Sequence, residues 1–223
     1  MKLSKRTTRV LSNFSEIHSG IHIKRGNRIE TMSIARNVWA KALVDEEFPE
    51  DFAIYELSRF LGVLALFDEP EIDVSKEVLV ISESKEGSPK NKVHYRCADP
   101  SLLKSKPPEK DLPVLDYDTS FSLPSDTLKA ALKASSTLSV DDIILIGENG
   151  KVRMKVADVN EPTSHVYSVE LGDTNVSFEL QYKKDTLNVL PADYKVEVCS
   201  EMNVARFSAD DGNIEYLLAA EQD

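Results

Sequence analysis

An internal repeat constrains this chain more than any other feature. FAIYELSRFLGVL, from Phe52, and FELQYKKDTLNVL, from Phe178, each pass from a strand-like run into a helix-like one. The elements around them recur in the same order. In the first half, periodicity predicts a helix over 2–17, a hairpin turning at Gly26-Asn27, strands at 37–44 and 52–55, and a helix over 56–67. Strands at 71–74, 78–82 and 92–98 complete that half. The second half predicts a strand at 119–123, a helix over 125–136, and a hairpin from 143–146 to 151–156 across Asn149-Gly150. Strands at 165–171 and 176–182, a short helix at 183–190, and strands at 194–200, 203–208 and 214–220 follow. Two such units of about 110–120 residues predict two like α+β domains, each large enough for its own core.

Residues 99–118 (DPSLLKSKPPEKDLPVLDYD) hold four of the ten prolines and no sustained periodicity, which predicts an extended connector. The expected organisation is a domain over 1–105, a connector over 106–118 and a domain over 119–223. The net charge is −11, but residues 1–110 carry 18 Lys+Arg against 17 Asp+Glu, and residues 111–223 carry 9 against 21. Any surface for a polyanion must therefore be locally basic. No apolar run approaches the roughly 18–20 residues of a membrane helix. Cys97 and Cys199 lack CxxC spacing and read as free thiols of a reducing compartment, so the cytoplasm is the expected location.

The first helix shows where the local basicity lies. Lys2, Lys5, Arg6 and Arg9 recur at i, i+3, i+4 and i+7, on one helical face. Leu3, Thr7, Val10, Leu11 and Phe14 form a second face roughly 130° away. Ser4 is placed to cap the helix. The helix near 125–136 repeats the plan, with Leu128, Ala131 and Leu132 on one side and Lys129 and Lys133 on the other.

MKLSK-TT--L-NF--I-SGI at the start, DFAIYEL--FLGVL at 51–64 and ADPS at 98–101 together resemble the DNA sliding clamps of T4-type bacteriophages. DYKVEV, NVARF and YLLAAE in the second half resemble the last strands of clamp domains more generally. The resemblance implies two similar clamp-type domains, each with antiparallel sheets outside and two helices inside, and a trimeric ring of six domains around duplex DNA. It implies a homotrimer without enzymatic activity or cofactor that tethers the replicative polymerase. It further implies placement on DNA by an ATP-dependent clamp loader, a role in late transcription, and action in the cytoplasm of an infected bacterial host.

Carried onto this sequence, the DNA-facing residues are Lys2, Lys5, Arg6, Arg9, Arg59, Lys129, Lys133, Lys183 and Lys184. Ring closure would pair edge strands through Val93, His94, Tyr95 and Arg96 on one copy and His165, Val166, Tyr167 and Val169 on the next. Leu112, Val114, Leu115 and Leu218 are candidates for a partner-peptide pocket. These roles agree with the residue chemistry, because exposed lysines and arginines attract phosphates without reading sequence.

No catalytic pattern competes with this reading. The sequence has no GxxxxGK[ST] phosphate loop and no GxSxG elbow. His18 and His22 flank a helix end and a strand, which gives them no metal-binding geometry. Two other readings remain at this point. One is a monomeric acidic interaction protein that mimics DNA, which the charge of −11 favours and the basic helix faces oppose. The other is a simple sequence-independent DNA-binding module.

Overall fold

The computed structural model describes residues 1–83, 91–108, 115–161 and 163–221. The chain divides into two compact units, Met1–Glu109 and Lys110–Asp223. Both are mixed α+β with antiparallel strands throughout.

The first unit opens with α1 (Lys5–Ile17). Ser4 is extended and its Oγ accepts from Thr7 N at 3.1 Å, so the helix begins after Ser4 rather than at Lys2. The Glu46 carboxylate also accepts from Ser4 N and Thr7 Oγ1, placing negative charge where the helix dipole is positive. Thr7, Val10, Leu11, Asn13 and Phe14 form its buried face.

The chain continues through β1 (Ile21–Ile23), β2 (Gly26–Met32), β3 (Val38–Phe48) and β4 (Phe52–Ile54). The hairpin expected at Gly26-Asn27 does not form. Gly26, with φ 111°, opens β2, and β1 pairs instead with β4. β2 pairs with β3, after a turn over 33–37 that includes Arg36 at φ 60°. β3 also outruns its expected end at residue 44. Val44 and Phe48 point inward while Asp45 and Glu47 face water, so the acidic run keeps period two.

α2 (Leu57–Leu64) buries Leu57, Phe60 and Leu64. A sheet then runs β5 (Pro70–Asp73), β6 (Val78–Glu83), β7 (Lys92–Arg96), in that order. Leu103 and Ser105, at the end of the unit, are buried, and Ser105 Oγ donates to Ser33 O at 3.0 Å.

In the second unit β8 (Thr119–Leu123) leads into α3 (Ser125–Leu138). β9 (Asp142–Glu148) and β10 (Lys151–Val156) turn at Asn149-Gly150, both with positive φ as a tight hairpin requires. With β11 (Tyr167–Asp173) and β12 (Phe178–Lys183) they form a sheet ordered β11-β10-β9-β12. β13 (Tyr194–Cys199), β14 (Val204–Ala209) and β15 (Ile214–Ala219) follow, and β8 pairs beside β13.

The helix expected over 183–190 is replaced by one turn. Thr186 N and Leu187 N both reach Lys183 O and Asn188 N reaches Asp185 O, turn bonds that do not continue into a helix. Asp185, Thr186 and Asn188 are poor helix interiors. Leu187 is fully buried, and Leu190 N donates to Tyr216 Oη at 3.1 Å, which holds the chain extended.

The repeat survives in the pairings. β1 with β4 corresponds to β9 with β12, and β2 with β3 to β10 with β11. The ribbon β5-β6-β7 corresponds to β13-β14-β15. Met1 stands beside β5 as β8 stands beside β13, its N and O both pairing with Ile72, at 2.6 and 2.7 Å.

Candidate nucleic-acid interface

The four cations expected on one face of α1 separate into two kinds. Lys5 and Arg9 are exposed on the helix and have no ion pair among the described residues. Lys2 lies before the helix, and its Nζ is 3.1 Å from Glu69. Arg6 donates to Leu43 O at 2.8 Å and to Asp45 at 3.2 Å, which folds its guanidinium back onto β3. On α2, Arg59 is 71% exposed and pairs with Glu56 one turn earlier at 2.7 Å.

The second unit assembles its cations differently. Lys129 pairs with Asp126 at 3.2 Å, one turn earlier on α3, while Lys133 is exposed and unpaired among the described residues. Lys184 Nζ donates to Ser136 Oγ at 2.8 Å. Ser136 follows Lys129 and Lys133 on the same helical stripe, at i+7 and i+3. The turn after β12 thus delivers Lys184 to the α3 face although it is not a helix. Ser136 escaped the sequence reading, and its spacing from Lys129 was the signal that could have found it.

Lys183 does not join this group. Its ammonium pairs with the carboxylate of Asp142, a side chain only 6% exposed. Burial alone would raise the Asp142 pKa, but hydrogen bonds from Lys183, Gln181 and Val159 N outweigh it and hold the carboxyl below the usual range. The bond to Asp142 in turn raises the Lys183 pKa. This pair is a clasp between β9 and β12.

The strands named for subunit contact lie at sheet edges, each with a single strand neighbour in its sheet. On β7 His94 and Arg96 are exposed, while Val93 and Tyr95 are half-buried. Tyr95 turns into its own unit, with its ring 5.4 Å from that of Phe60 and its hydroxyl donating to Glu56 O at 3.2 Å. On the other edge Tyr167 and Val169 lie within β11 and are half-buried. His165 and Val166 precede the strand, which starts two residues later than expected, and both are exposed.

The expected partner pocket needs correction. Leu218 is fully buried, because β15 alternates inward and outward and this position points into the core. Leu115 is half-buried, and Leu112 and Val114 lie outside the described residues.

A cleft of about 730 Å³ in the first unit holds His22, Asp51, Lys76 and Cys97. Burial lowers the His22 pKa and raises that of the Cys97 thiol, the reverse of what an activated thiolate needs. Among the described residues, no group of three or more His, Cys, Asp or Glu side chains is placed to hold a metal ion. Exposed cations on two helix faces attract a polyanion but perform no bond chemistry.

The chain matches known proteins along nearly its whole length. Residues 2–108 match the family described as DNA polymerase processivity factor, and residues 120–222 match the gp45 sliding clamp C-terminal family. The sliding clamp of Vibrio phage KVP40 is 30% identical, with 99% of each chain covered. The sliding clamp of Enterobacteria phage T4 is also 30% identical, over 100% of this chain and 98% of its own. Among solved structures, the proliferating cellular nuclear antigen of Entamoeba histolytica superposes with a TM-score of 0.70 at 14% identity, covering 96% of this chain and 94% of its own. The A. fulgidus PCNA bound to the C-terminal region of FEN-1 gives 0.70 at 17% identity, over 100% and 97%.

Proposed function

Because the chain belongs to the sliding-clamp family of DNA polymerase processivity factors, which are not enzymes, we propose that three copies close head to tail around duplex DNA and tether the replicative polymerase to it. The observation that carries this reading is the placement of unpaired cations. In a chain of net charge −11, Lys5 and Arg9 on α1 and Lys133 on α3 are exposed without an ion pair among the described residues, and Lys184 reaches the α3 face through Ser136. Both copies of the repeat present a cationic helix face. Such a face attracts the phosphate backbone without binding a sequence, which suits a tether that must slide.

In this reading Lys5, Arg9, Lys129, Lys133 and Lys184 line the hole. Lys2, Arg6 and Arg59 contribute positive potential while tied to Glu69, Asp45 and Glu56, and Lys183 serves the fold. The free edges β7 and β11 supply the contacts between copies. Opening and closing such a ring requires an ATP-dependent clamp loader, since the chain carries no phosphate-binding loop of its own. Polymerase, loader and late-transcription factors would dock by short peptides near the connector. The site of action would be the cytoplasm of the infected host.

The test is solution mass by light scattering over a dilution series at moderate salt. A mass near three times the chain's 24.9 kDa, falling on dilution, supports the ring. A monomer up to high micromolar concentration overturns it and leaves the acidic-mimic reading in front.

A further inference from the structure

We infer that four carboxylates, Asp45, Glu56, Glu69 and Asp126, restrain the cationic helix faces, each offsetting one cation so that duplex DNA is attracted weakly enough to slide. This rests on the reading that those faces meet DNA, and it names the residues that set how strongly they do.

With Lys183 committed to Asp142, the remaining cations fall into two groups of equal size. Lys5, Arg9 and Lys133 have no ion pair among the described residues, and the Lys184 ammonium donates to the neutral hydroxyl of Ser136. Each of the other four has a carboxylate against it. Glu69 lies 3.1 Å from Lys2, Asp45 3.2 Å from Arg6, Glu56 2.7 Å from Arg59 and Asp126 3.2 Å from Lys129.

Two of these acids belong to the helices themselves. Glu56 is the N-cap residue of α2, and Asp126 lies in the first turn of α3. Each stands three residues before a cation and so shares its face. On α1 the exposed Glu16 closes the stripe of Lys5 and Arg9 and adds a further negative charge to it. An acid at a helix start also suits the helix dipole, so stability alone does not reveal this role.

The pairs are exposed, with Asp126 at 96% and Glu69 at 56%, and exposed pairs add little to a fold. Their effect on a phosphate is larger. A carboxylate beside an ammonium acts on the same phosphate with the opposite sign, since both lie within the screening length of roughly 10 Å at 0.1 M salt. A phosphate that displaced the carboxylate would leave that acid unpaired beside the DNA. Each cation that neutralises a phosphate steepens the dependence of log affinity on log salt by about 0.9. The compensated four therefore add little to that slope, and the attraction of each chain comes mainly from Lys5, Arg9, Lys133 and Lys184.

The experiment measures binding of the full chain to linear duplex DNA by fluorescence anisotropy across a salt series, with light scattering and thermal unfolding to confirm equal assembly and folding. Glu56→Gln, Glu69→Gln and Asp126→Asn together should tighten binding about tenfold or more at low salt and steepen the slope by about 1–3. Asp45 is left in place because Arg6 stays bound to Leu43 O without it. Glu77→Gln, Glu201→Gln and Asp210→Asn, exposed acids outside the helices, change the net charge equally and should move the slope far less. Lys5→Gln, Arg9→Gln and Lys133→Gln should weaken binding and flatten the slope. If the first set disturbs the fold, Asp126→Asn alone still decides, with a slope steeper by up to about 0.9 expected. A slope that stays at the wild-type value when the helix-face acids are removed, while the cation variant flattens it, overturns the restraint and leaves the DNA-facing faces standing. Equal tightening by the two acid sets also overturns it, since net charge would then suffice. A cation variant that binds like the wild type removes the DNA-facing reading itself.

Discussion

The two units share a plan and solve it with different means. α1 is capped by Ser4 and Glu46, and α2 follows as a true helix; α3 starts at Pro124 with no side-chain cap, and a single turn stands where a second helix was expected. Yet both units keep the same pairings and both present an exposed cationic helix face. The pairings define the fold, and helices within it can shorten to a turn provided their anchor side chains stay buried. Leu187, fully buried, anchors the turn in the second unit, and Phe60, 2% exposed, anchors α2 in the first.

That equivalence invites the largest perturbation. Phe60→Ala should cost about 3–5 kcal/mol and Leu187→Ala about 2–4 kcal/mol, measured by chemical denaturation of the full chain. A Leu187→Ala variant of unchanged stability would break the comparison, because the turn would then be mere surface.

Next comes the clasp between β9 and β12. Asp142→Ala should cost about 2–4 kcal/mol, since it leaves Lys183, Gln181 and Val159 N without their acceptor. Because the folded-state pKa of Asp142 is depressed, its contribution is present above the ordinary carboxylate pKa of about 4 and is lost as pH falls through the lower folded value. The raised Lys183 pKa works in the opposite window, its contribution present below about pH 10 and lost as pH rises through the folded value. The acid limb of a stability–pH profile should flatten in Asp142→Ala.

Lys183 and Lys184 are adjacent in sequence and differ in role. Lys183→Met should lower stability by about 1–2 kcal/mol, reduced from a fully buried pair because the ammonium is half-exposed, and leave the salt dependence of DNA binding unchanged. Lys184→Met should do the reverse, lowering the slope of binding against salt while leaving the melting curve in place. The smallest effect belongs to the caps. Ser4→Ala should cost about 1 kcal/mol, whereas Pro124→Ala, with no side-chain bond to lose, should cost less.

These pairs show what could be read from the sequence. The Asn149-Gly150 hairpin was legible because its turn chemistry is local, and α1 and α3 because their apolar faces repeat at helical spacing. Gly26-Asn27 looked like a similar turn, but β1 finds its partner in β4, about thirty residues on, and no local pattern announces that. The acidic run after Val44 read as the end of its strand because charge hid its alternation.

Among the candidate residues, the type of side chain was legible and its pairing was not. Glu69 and Asp45 neutralise Lys2 and Arg6 from 67 and 39 residues away. Lys183 and Lys184 part company only because Asp142 sits beside the first of them. Leu218 read as a residue of a partner-peptide pocket, yet β15 places it in the core.

The central claim is topological, and retention on DNA with blocked or free ends tests it most directly. The protein is threaded onto linear duplexes at high concentration, the ends of one set are then closed with bulky blocks, and both sets are diluted into moderate salt. A ring around the duplex should be retained long on blocked DNA and lost rapidly from free-ended DNA. Equal residence on both, set by salt alone, would mean that the cations grip DNA from one side and that no ring surrounds it.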